Sequence, residues 1–350
     1  MESLKGKIKF GKWDSGKDGF TYCGRNFVQK EDGSVETDMN EYVRNLTIAR
    51  ITRDRKKETE SSLSEAEHRT LRALVGQLAW LGRMGMPEIA SAVSRLAGSL
   101  AKPVMADLLM ANTIVRTAKK IDLSTLKFSP KIDLRNCCVG QISDSAFDNL
   151  KKSGSQRGHI IVLANKEIIH GHKEMHTFSM IEWKSSRMRR VVRSTLAAEA
   201  YSASEASESL DYTRALLAEA LDPSFTVRNW QECAARIPGV AVTDCKSLFD
   251  VIATDLPKVA DRRLALECMI LKGLENVTFK WVPSQQMLAD ALTKDVGFEI
   301  LDYFSKVRRD MLLTFGPDDR APVGRRVHQD VKDMSLAESI KAQGLNSESK

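Results

Sequence analysis

Four acidic side chains of this 350-residue chain lie in segments of regular pattern but far apart in sequence. Asp144 and Asp244 lie in strand-like segments, and Glu199 and Asp290 in helix-like segments, at intervals of 55, 45 and 46 residues. Only the fold can bring them together. Like charges at close range stay ionised when a cation neutralises them, and carboxylates without His or Cys favour Mg²⁺ or Mn²⁺. Two such ions about 3.5–4 Å apart suit phosphodiester hydrolysis.

Each acid also has an ordinary interpretation. Asp144 could hydrogen-bond its own backbone, and Asp244 could cap the helix predicted at CKSLFDVI. Asp290 could pair with Lys294 one helical turn later, which on a surface contributes only about 0.3–0.5 kcal/mol. Glu199 could be a solvated helix residue. Its neighbours one turn away, however, are small or uncharged and favour packing against a sheet: Thr195, Leu196, Ser202 and Ala203.

A run of basic side chains precedes the segment that carries Glu199: Lys184, Arg187, Arg189, Arg190 and Arg193. Two interpretations remain open for this run. One is a solvated loop, which is the usual role of clustered charges. The other is contact with the phosphates of a nucleic acid held against the acidic residues.

Residues 136–300 have the pattern of an α/β domain. Three strand-like stretches come first: CCVGQISDSA, RGHIIVLAN and TFSMIEWKS. Further strands are predicted at GVAVTD and VTFKWV, and helices at STLAAEAYSASEASESL, DYTRALLAEAL, DRRLALECMILKGL and PSQQMLADALTK. This order predicts a mixed sheet, with three antiparallel strands followed by parallel strands, flanked by helices.

The remaining segments predict a small N-terminal α+β part and a tail. Residues 1–60 predict a short hairpin with EDGS as its turn. Residues 61–130 predict a basic helical unit of three helices, the first starting at a capping box formed by Ser64 and Glu67. Residues 315–350 are polar, and we expect them to be poorly ordered.

Charge and composition indicate which kinds of partner the protein could bind and exclude some classes of protein. The net charge of +7 arises within residues 1–139, which hold 24 Lys and Arg against 17 Asp and Glu. A basic excess of this kind indicates a polyanionic partner. The hydrophobic share of 42% excludes a wholly disordered chain. No segment is typical of a secretory signal or a membrane span, and the six cysteines lack zinc-ligand spacing, so we expect a cytoplasmic or nuclear protein that does not bind membranes.

Taken together, these motifs resemble the ribonuclease H domain at the end of the Pol polyprotein of copia-type LTR retrotransposons. The matching stretches are SDSA, WKSSRMRRVVRSTLAAEAYSASEA, VTDCKSL and WVPSQQMLADALTK, in that order. Phe147 stands where the family usually has Trp. The resemblance implies a ribonuclease H-like fold. It also implies two Mg²⁺ ions, replaceable by Mn²⁺, bound by Asp144, Glu199, Asp244 and Asp290.

The resemblance continues upstream and implies an activity. Residues 1–60 resemble the last hairpin of a reverse transcriptase palm, and residues 61–130 resemble the thumb-like connection after it. Since no Y-x-D-D motif occurs, we do not expect DNA synthesis. The implied activity is endonucleolytic cleavage of the RNA strand of an RNA–DNA hybrid. Two alternatives stay open: a non-catalytic nucleic-acid-binding module, or the C-terminal end of a longer polyprotein with other parts of Pol as partners.

Overall fold

The N-terminal part contains a four-stranded antiparallel sheet. The computed structural model describes residues 19–121, 125–150, 154–170, 174–254, 259–294 and 298–313, so the tail expected at 315–350 lies outside the described residues. The strands of this sheet, in spatial order, are β1 Phe20–Tyr22, β2 Arg25–Gln29, β3 Val35–Asp38 and β4 Leu126–Phe128. The predicted hairpin turn between β2 and β3 is confirmed, because Lys30 N donates to Ser34 O across it at 2.8 Å.

Five α-helices lie between β3 and β4 in the chain, and all but the short second one contribute to one apolar core. They are α1 Asn40–Asn45, α2 Arg53–Lys57, α3 Glu65–Met84, α4 Ala90–Ser99 and α5 Met105–Lys120. The predicted capping box is confirmed, since Ser64 Oγ accepts from Glu67 N and the Glu67 carboxylate accepts from Ser64 N. The buried Asn112 amide bonds both the N–H and the C=O of Ala49, and so fixes the segment after α1 on α5.

The second sheet has six strands in the order β10-β7-β6-β5-β8-β9. They are β5 Cys137–Leu150, β6 Gly154–Asn165, β7 His176–Arg187, β8 Gly239–Thr243, β9 Val277–Trp281 and β10 Leu312–Leu313. Strands β5, β6 and β7 are antiparallel, whereas β8 runs parallel to β5 and β9 runs parallel to β8. The predicted ribonuclease H-like fold class is therefore confirmed. The short edge strand β10 has no counterpart in the sequence prediction.

Helices flank this sheet. They are α6 Thr195–Leu221, α7 Trp230–Ala235, α8 Lys246–Ala253, α9 Arg262–Lys272 and α10 Phe298–Asp310. The prediction of two helices across 194–221 is wrong, because α6 is continuous over 27 residues. No Gly or Pro interrupts it, and Leu210 and Thr213, on either side of the expected break, are both buried. Its alanine-rich face packs closely on β5, where Gln141 Nε2 donates to Ala203 O at 3.2 Å.

The segment that carries Asp290 is not the predicted α-helix. It forms two short 3₁₀ helices, Ser284–Gln286 and Leu288–Leu292, separated by Met287, whose backbone is extended. All the residues of Leu288–Leu292 are buried. The carbonyl groups at its end accept hydrogen bonds from side chains of other elements instead of continuing a helical ladder. Those tertiary bonds override the helical pattern of the sequence.

The N-terminal helices pack directly against the second sheet. Trp183 Nε1 of β7 donates to the carbonyl of Gly82 in α3 at 2.6 Å. The Arg308 guanidinium of α10 lies 3.0 Å from the Glu88 carboxylate, and both side chains are buried. Through the described residues, no helix combines the length and the apolar character needed to cross a membrane.

Candidate metal centre

Three of the four acids singled out in the sequence meet at one end of the second sheet. Asp144 lies within β5, opposite Gly158 of β6, and Asp244 directly follows β8, the parallel neighbour of β5. Asp290 reaches the same place from the 3₁₀ segment. One carboxylate oxygen from each of the three lies within 4.8 Å of the other two. Oxygens this close together can share a cation.

Glu199 joins these acids from the second turn of α6. Its Oε1 accepts from the Ser145 hydroxyl at 2.8 Å and from the Ser145 N–H at 3.3 Å, so the residue after Asp144 fixes its orientation. Its Oε2 is buried and has no hydrogen-bond partner among the described residues. A buried carboxylate oxygen without a partner is costly, and a bound cation would satisfy it.

Burial dominates the electrostatics of the four acids. Loss of solvent raises the pKa of Asp144 to about 7, and Asp144 is only 2% exposed. Burial likewise raises the pKa of Asp244, Asp290 and Glu199, and the charges of neighbouring acids add to the rise. Such shifts are typical of carboxylates gathered for metal binding, because they cannot all ionise without a counter-charge.

Lys294 supplies a positive charge from within the chain. Its Nζ contacts Asp290 Oδ1 and lies 3.7 Å from Asp144 Oδ2. Burial lowers the pKa of Lys294, but the charges of Asp144 and Asp290 outweigh that effect, so its pKa is raised and the ammonium persists. The Lys294 side chain is 26% exposed and its partner Asp290 is 2% exposed, so this is not the surface pair considered from the sequence.

Hydroxyl and indole groups orient the backbone and side chains of the aspartates. Ser284 Oγ donates to Asp244 Oδ2 at 2.6 Å, and Trp281 Nε1 donates to Asp244 O at 3.0 Å. The Thr293 hydroxyl contacts Asp144 Oδ2. The alternative that Asp244 caps the next helix is wrong, because Cys245 occupies the cap position and makes no side-chain cap.

Three of these supporting residues are ones that the sequence interpretation gives no role: Ser145, Ser284 and Thr293. A signal was available for them, because each stands within one of the matching stretches, SDSA or WVPSQQMLADALTK. Lys294 enters that interpretation only as a surface partner of Asp290. Position in a motif does not reveal which carboxylate a hydroxyl will reach.

The basic residues divide into two groups. Three arginines are exposed in the loop between β7 and α6, immediately before the helix that carries Glu199: Arg189, Arg190 and Arg193. A fourth exposed arginine, Arg187, is the last residue of β7. Within this loop the Arg190 guanidinium lies 5.9 Å from the ring centroid of Tyr201. Lys184 lies within β7 instead, and its Nζ donates to Glu205 of α6 at 2.7 Å. Lys184 is therefore already engaged by an acid.

The residues present fit divalent cations that prefer oxygen ligands. The three clustered aspartates offer only carboxylate oxygens, and Glu199 adds a buried oxygen without a partner. Ligand sets of this chemistry favour Mg²⁺, Mn²⁺ or Ca²⁺ over zinc. The arrangement is suited to placing one or two such ions beside a phosphodiester.

Comparisons with known proteins give distant structural similarity. The chain is similar to the N-terminal RNase H domain of a Mycobacterium tuberculosis protein, solved as a fusion with maltose-binding protein, at 13% identity and a TM-score of 0.27, over 48% of this chain and 96% of that one. It is similar to the foamy viral protease–reverse transcriptase in complex with dsDNA, at 13% identity and a TM-score of 0.38, over 75% of this chain and 44% of that one.

The same foamy viral protein in complex with an RNA/DNA hybrid gives the same identity and TM-score, over 75% of this chain and 29% of that one. This chain thus spans less than half the length of either foamy viral chain. No family model matches the sequence, and no curated protein matches it. The fold class rests on the order and direction of the strands in the second sheet.

Proposed function

We propose that this protein is a metal-dependent endonuclease of the ribonuclease H type, which hydrolyses the RNA strand of RNA–DNA hybrids. The observation that carries the proposal is the meeting of Asp144, Asp244 and Asp290 within 4.8 Å at the end of the sheet. We further propose that the chain derives from the C-terminal part of a copia-type Pol polyprotein. The motif order described above supports this origin.

Asp144, Glu199, Asp244 and Asp290 would hold two Mg²⁺ ions, replaceable by Mn²⁺. Asp144 and Asp244 would serve both ions, whereas Glu199 would serve one and Asp290 the other. When bound, the ions supply an activated water and stabilise the leaving oxygen. Ser145 holds Glu199 and Ser284 holds Asp244, so both carboxylates keep their orientation before substrate arrives.

The exposed arginine loop provides the substrate contact in this proposal. The guanidinium groups of its three arginines, and that of Arg187 at the end of β7, precede α6, whose second turn carries Glu199. A phosphate backbone held by these arginines therefore runs past the acids. Contacts to phosphates position a nucleic acid without reading its sequence. Recognition therefore depends on hybrid shape and on 2′-hydroxyl groups.

The test is cleavage of a hybrid with labelled RNA by the purified full chain in Mg²⁺. Loss of a residue that only supports a metal ligand typically costs about 10- to 100-fold in activity. We expect Asp144→Asn and Glu199→Gln, which alter the ligands themselves, to reduce the cleavage rate by more than that. Asp250→Asn is the matched control, because Asp250 is exposed on α8 and pairs with Lys246 away from the four acids. Cleavage that survives both site variants would refute the assignment of the acids, and cleavage of double-stranded DNA instead would refute the substrate.

A second candidate function is hybrid binding without hydrolysis, and the position of Lys294 favours it. An ammonium that already contacts Asp290 and lies near Asp144 allows the fold to persist with no metal bound. Hybrid binding with no turnover in either Mg²⁺ or Mn²⁺ would support this candidate over the enzyme.

We also propose that the chain works beside other parts of a Pol polyprotein. Its N-terminal part resembles the end of a reverse transcriptase, which supports a neighbouring polymerase. Transcript reads that continue upstream into a Y-x-D-D motif would support this arrangement, and reads that show a start at Met1 would contradict it.

A further inference from the structure

The segment that carries Asp290 is held by hydrogen bonds to its carbonyl groups. Ser185 of β7 donates to Leu292 O at 2.5 Å, and Asn149 of β5 donates to Thr293 O at 3.0 Å. A third bond comes from outside the second sheet and its helices, since Ser91 of α4 donates to Lys294 O at 3.3 Å. The N-terminal part therefore touches the segment within four residues of Asp290.

A second connection runs from α4 through a buried glutamine. Gln156 of β6 is fully buried, and its Nε2 donates both to Ser94 Oγ of α4 at 2.9 Å and to Ser185 Oγ at 2.8 Å. Ser185 in turn donates to the carbonyl of Leu292. A continuous set of hydrogen bonds thus links α4 to a residue two positions from Asp290.

Other contacts join the two parts without touching this segment. The bond from Trp183 to Gly82 involves β7 and α3 only. The hydrogen bonds of Ser91 and Ser94 therefore differ from the other contacts of the interface, because they lead to the segment that carries Asp290. A side chain that bonds the backbone beside a metal ligand can fix that ligand in place, whereas packing elsewhere contributes to stability alone.

We propose that Ser91 and Ser94 of the N-terminal part are positioning residues for the metal centre of the second sheet. They fix the segment that carries Asp290, and so the helices upstream of the α/β fold contribute to its affinity for metal. This inference rests on the proposed metal-binding function. It makes α4 a supporting element of the site, although α4 contributes no ligand.

The experiment measures Mn²⁺ binding to the full chain without nucleic acid, by titration calorimetry or by the electron paramagnetic resonance signal of free Mn²⁺. We expect the double variant Ser91→Ala/Ser94→Ala to bind Mn²⁺ about 10- to 100-fold more weakly, as expected for loss of outer-shell support. Trp183→Phe is the matched control, because it removes a hydrogen bond of the same interface. We expect it to lower the melting temperature and leave the Mn²⁺ affinity unchanged.

Two results would overturn the inference while leaving the proposed function intact. One is unchanged Mn²⁺ affinity in the double variant, and the other is an equal loss of affinity in Trp183→Phe. Wild-type protein that binds no Mn²⁺ would overturn both proposals. If the double variant fails to fold, Ser94→Ala alone, compared with Ser94→Thr, decides the question, because only the threonine retains the hydroxyl that Gln156 bonds.

Discussion

Lys294 places an ammonium group among the oxygens that would bind metal. Its Nζ contacts Asp290 and lies 3.7 Å from Asp144, two acids whose pKa values burial raises. Without a cation nearby, these acids would repel each other or take up protons. The lysine therefore lets the acidic cluster exist in the metal-free fold, and a divalent ion must compete with it for the same oxygens.

Replacing this lysine should change stability and metal affinity in opposite directions. We expect Lys294→Met to destabilise the metal-free fold by about 1.5–3 kcal/mol, the usual contribution of a hydrogen bond to a charged group. The same change should tighten Mn²⁺ binding, because the competing charge is gone. Thermal unfolding in EDTA measures the first effect, and titration calorimetry the second.

The control for this prediction is Lys246→Met. Lys246 forms the same i,i+4 pair with an aspartate, Asp250, but both side chains are exposed. Its loss should cost only about 0.3–0.5 kcal/mol and leave Mn²⁺ binding unchanged. Weaker Mn²⁺ binding in Lys294→Met would show that the lysine supports the site instead of competing for it.

At the scale of elements, β6 and the Asp290 segment approach each other more closely than side chains normally allow. A Cβ added to Gly158 would lie 2.5 Å from Leu292 Cβ and 3.0 Å from the Thr293 methyl group. Gly158 pairs with Asp144 on the neighbouring strand. The absence of a side chain here is what lets two acids from different elements meet.

We therefore expect Gly158→Ala to displace the Asp290 segment, lowering the free energy of unfolding by about 1–3 kcal/mol, as overpacking does. Mn²⁺ affinity should fall with it, and calorimetry in the presence and absence of the ion measures both. Gly76→Ala is the control, because Gly76 lies in α3 and a Cβ added there meets nothing within 4 Å. Since alanine favours a helix over glycine, this change should raise the free energy of unfolding by about 0.5–1 kcal/mol. Unchanged Mn²⁺ affinity in Gly158→Ala would contradict this account.

Patterns of adjacent residues predict the strands and helices whose conformation depends mainly on those residues. Alternation predicts β7, and the apolar run GVAVT predicts β8, so the strand order and the fold class follow. The conformation of the Asp290 segment does not follow, because its helical pattern is overridden by bonds from distant residues. Ser91 and Lys294 are 203 residues apart in sequence, and no local pattern relates them. For the same reason, clustering of the acids can be expected from the sequence but their orienting hydroxyls cannot.

At the scale of the whole molecule, the buried acids couple folding to pH. The pKa of Asp144 rises from 3.8 to about 7 on burial, and those of Asp244, Asp290 and Glu199 also rise. The folded chain therefore holds more protons than the unfolded chain between these limits. The contribution of these groups to the free energy of unfolding is greatest below pH 3.8 and is lost as the pH rises toward about 7.

We expect the melting temperature of the metal-free protein to fall between about pH 5 and pH 7.5 because of this linkage. Under the proposed function Mg²⁺ would bind the ionised acids, so we expect it to restore stability most at the upper end of that range. Calorimetric scans in EDTA and in Mg²⁺ test both effects. Asp144→Asn should flatten the pH dependence, and a metal-free melting temperature that rises with pH in this range would contradict the account.

The hydrogen bond between Trp183 and Gly82 makes the fluorescence of Trp183 a probe of the contact between the two parts. Trp80 and Trp230 are exposed and Trp281 is half-buried, so within the described part of the chain Trp183 alone is a buried tryptophan. Its indole is buried, and its N–H donates to the carbonyl of Gly82 in α3, so we expect it to become exposed to water when the N-terminal helices leave β7. A red shift of its fluorescence that precedes the loss of helical circular dichroism would therefore reveal separation of the two parts before either unfolds.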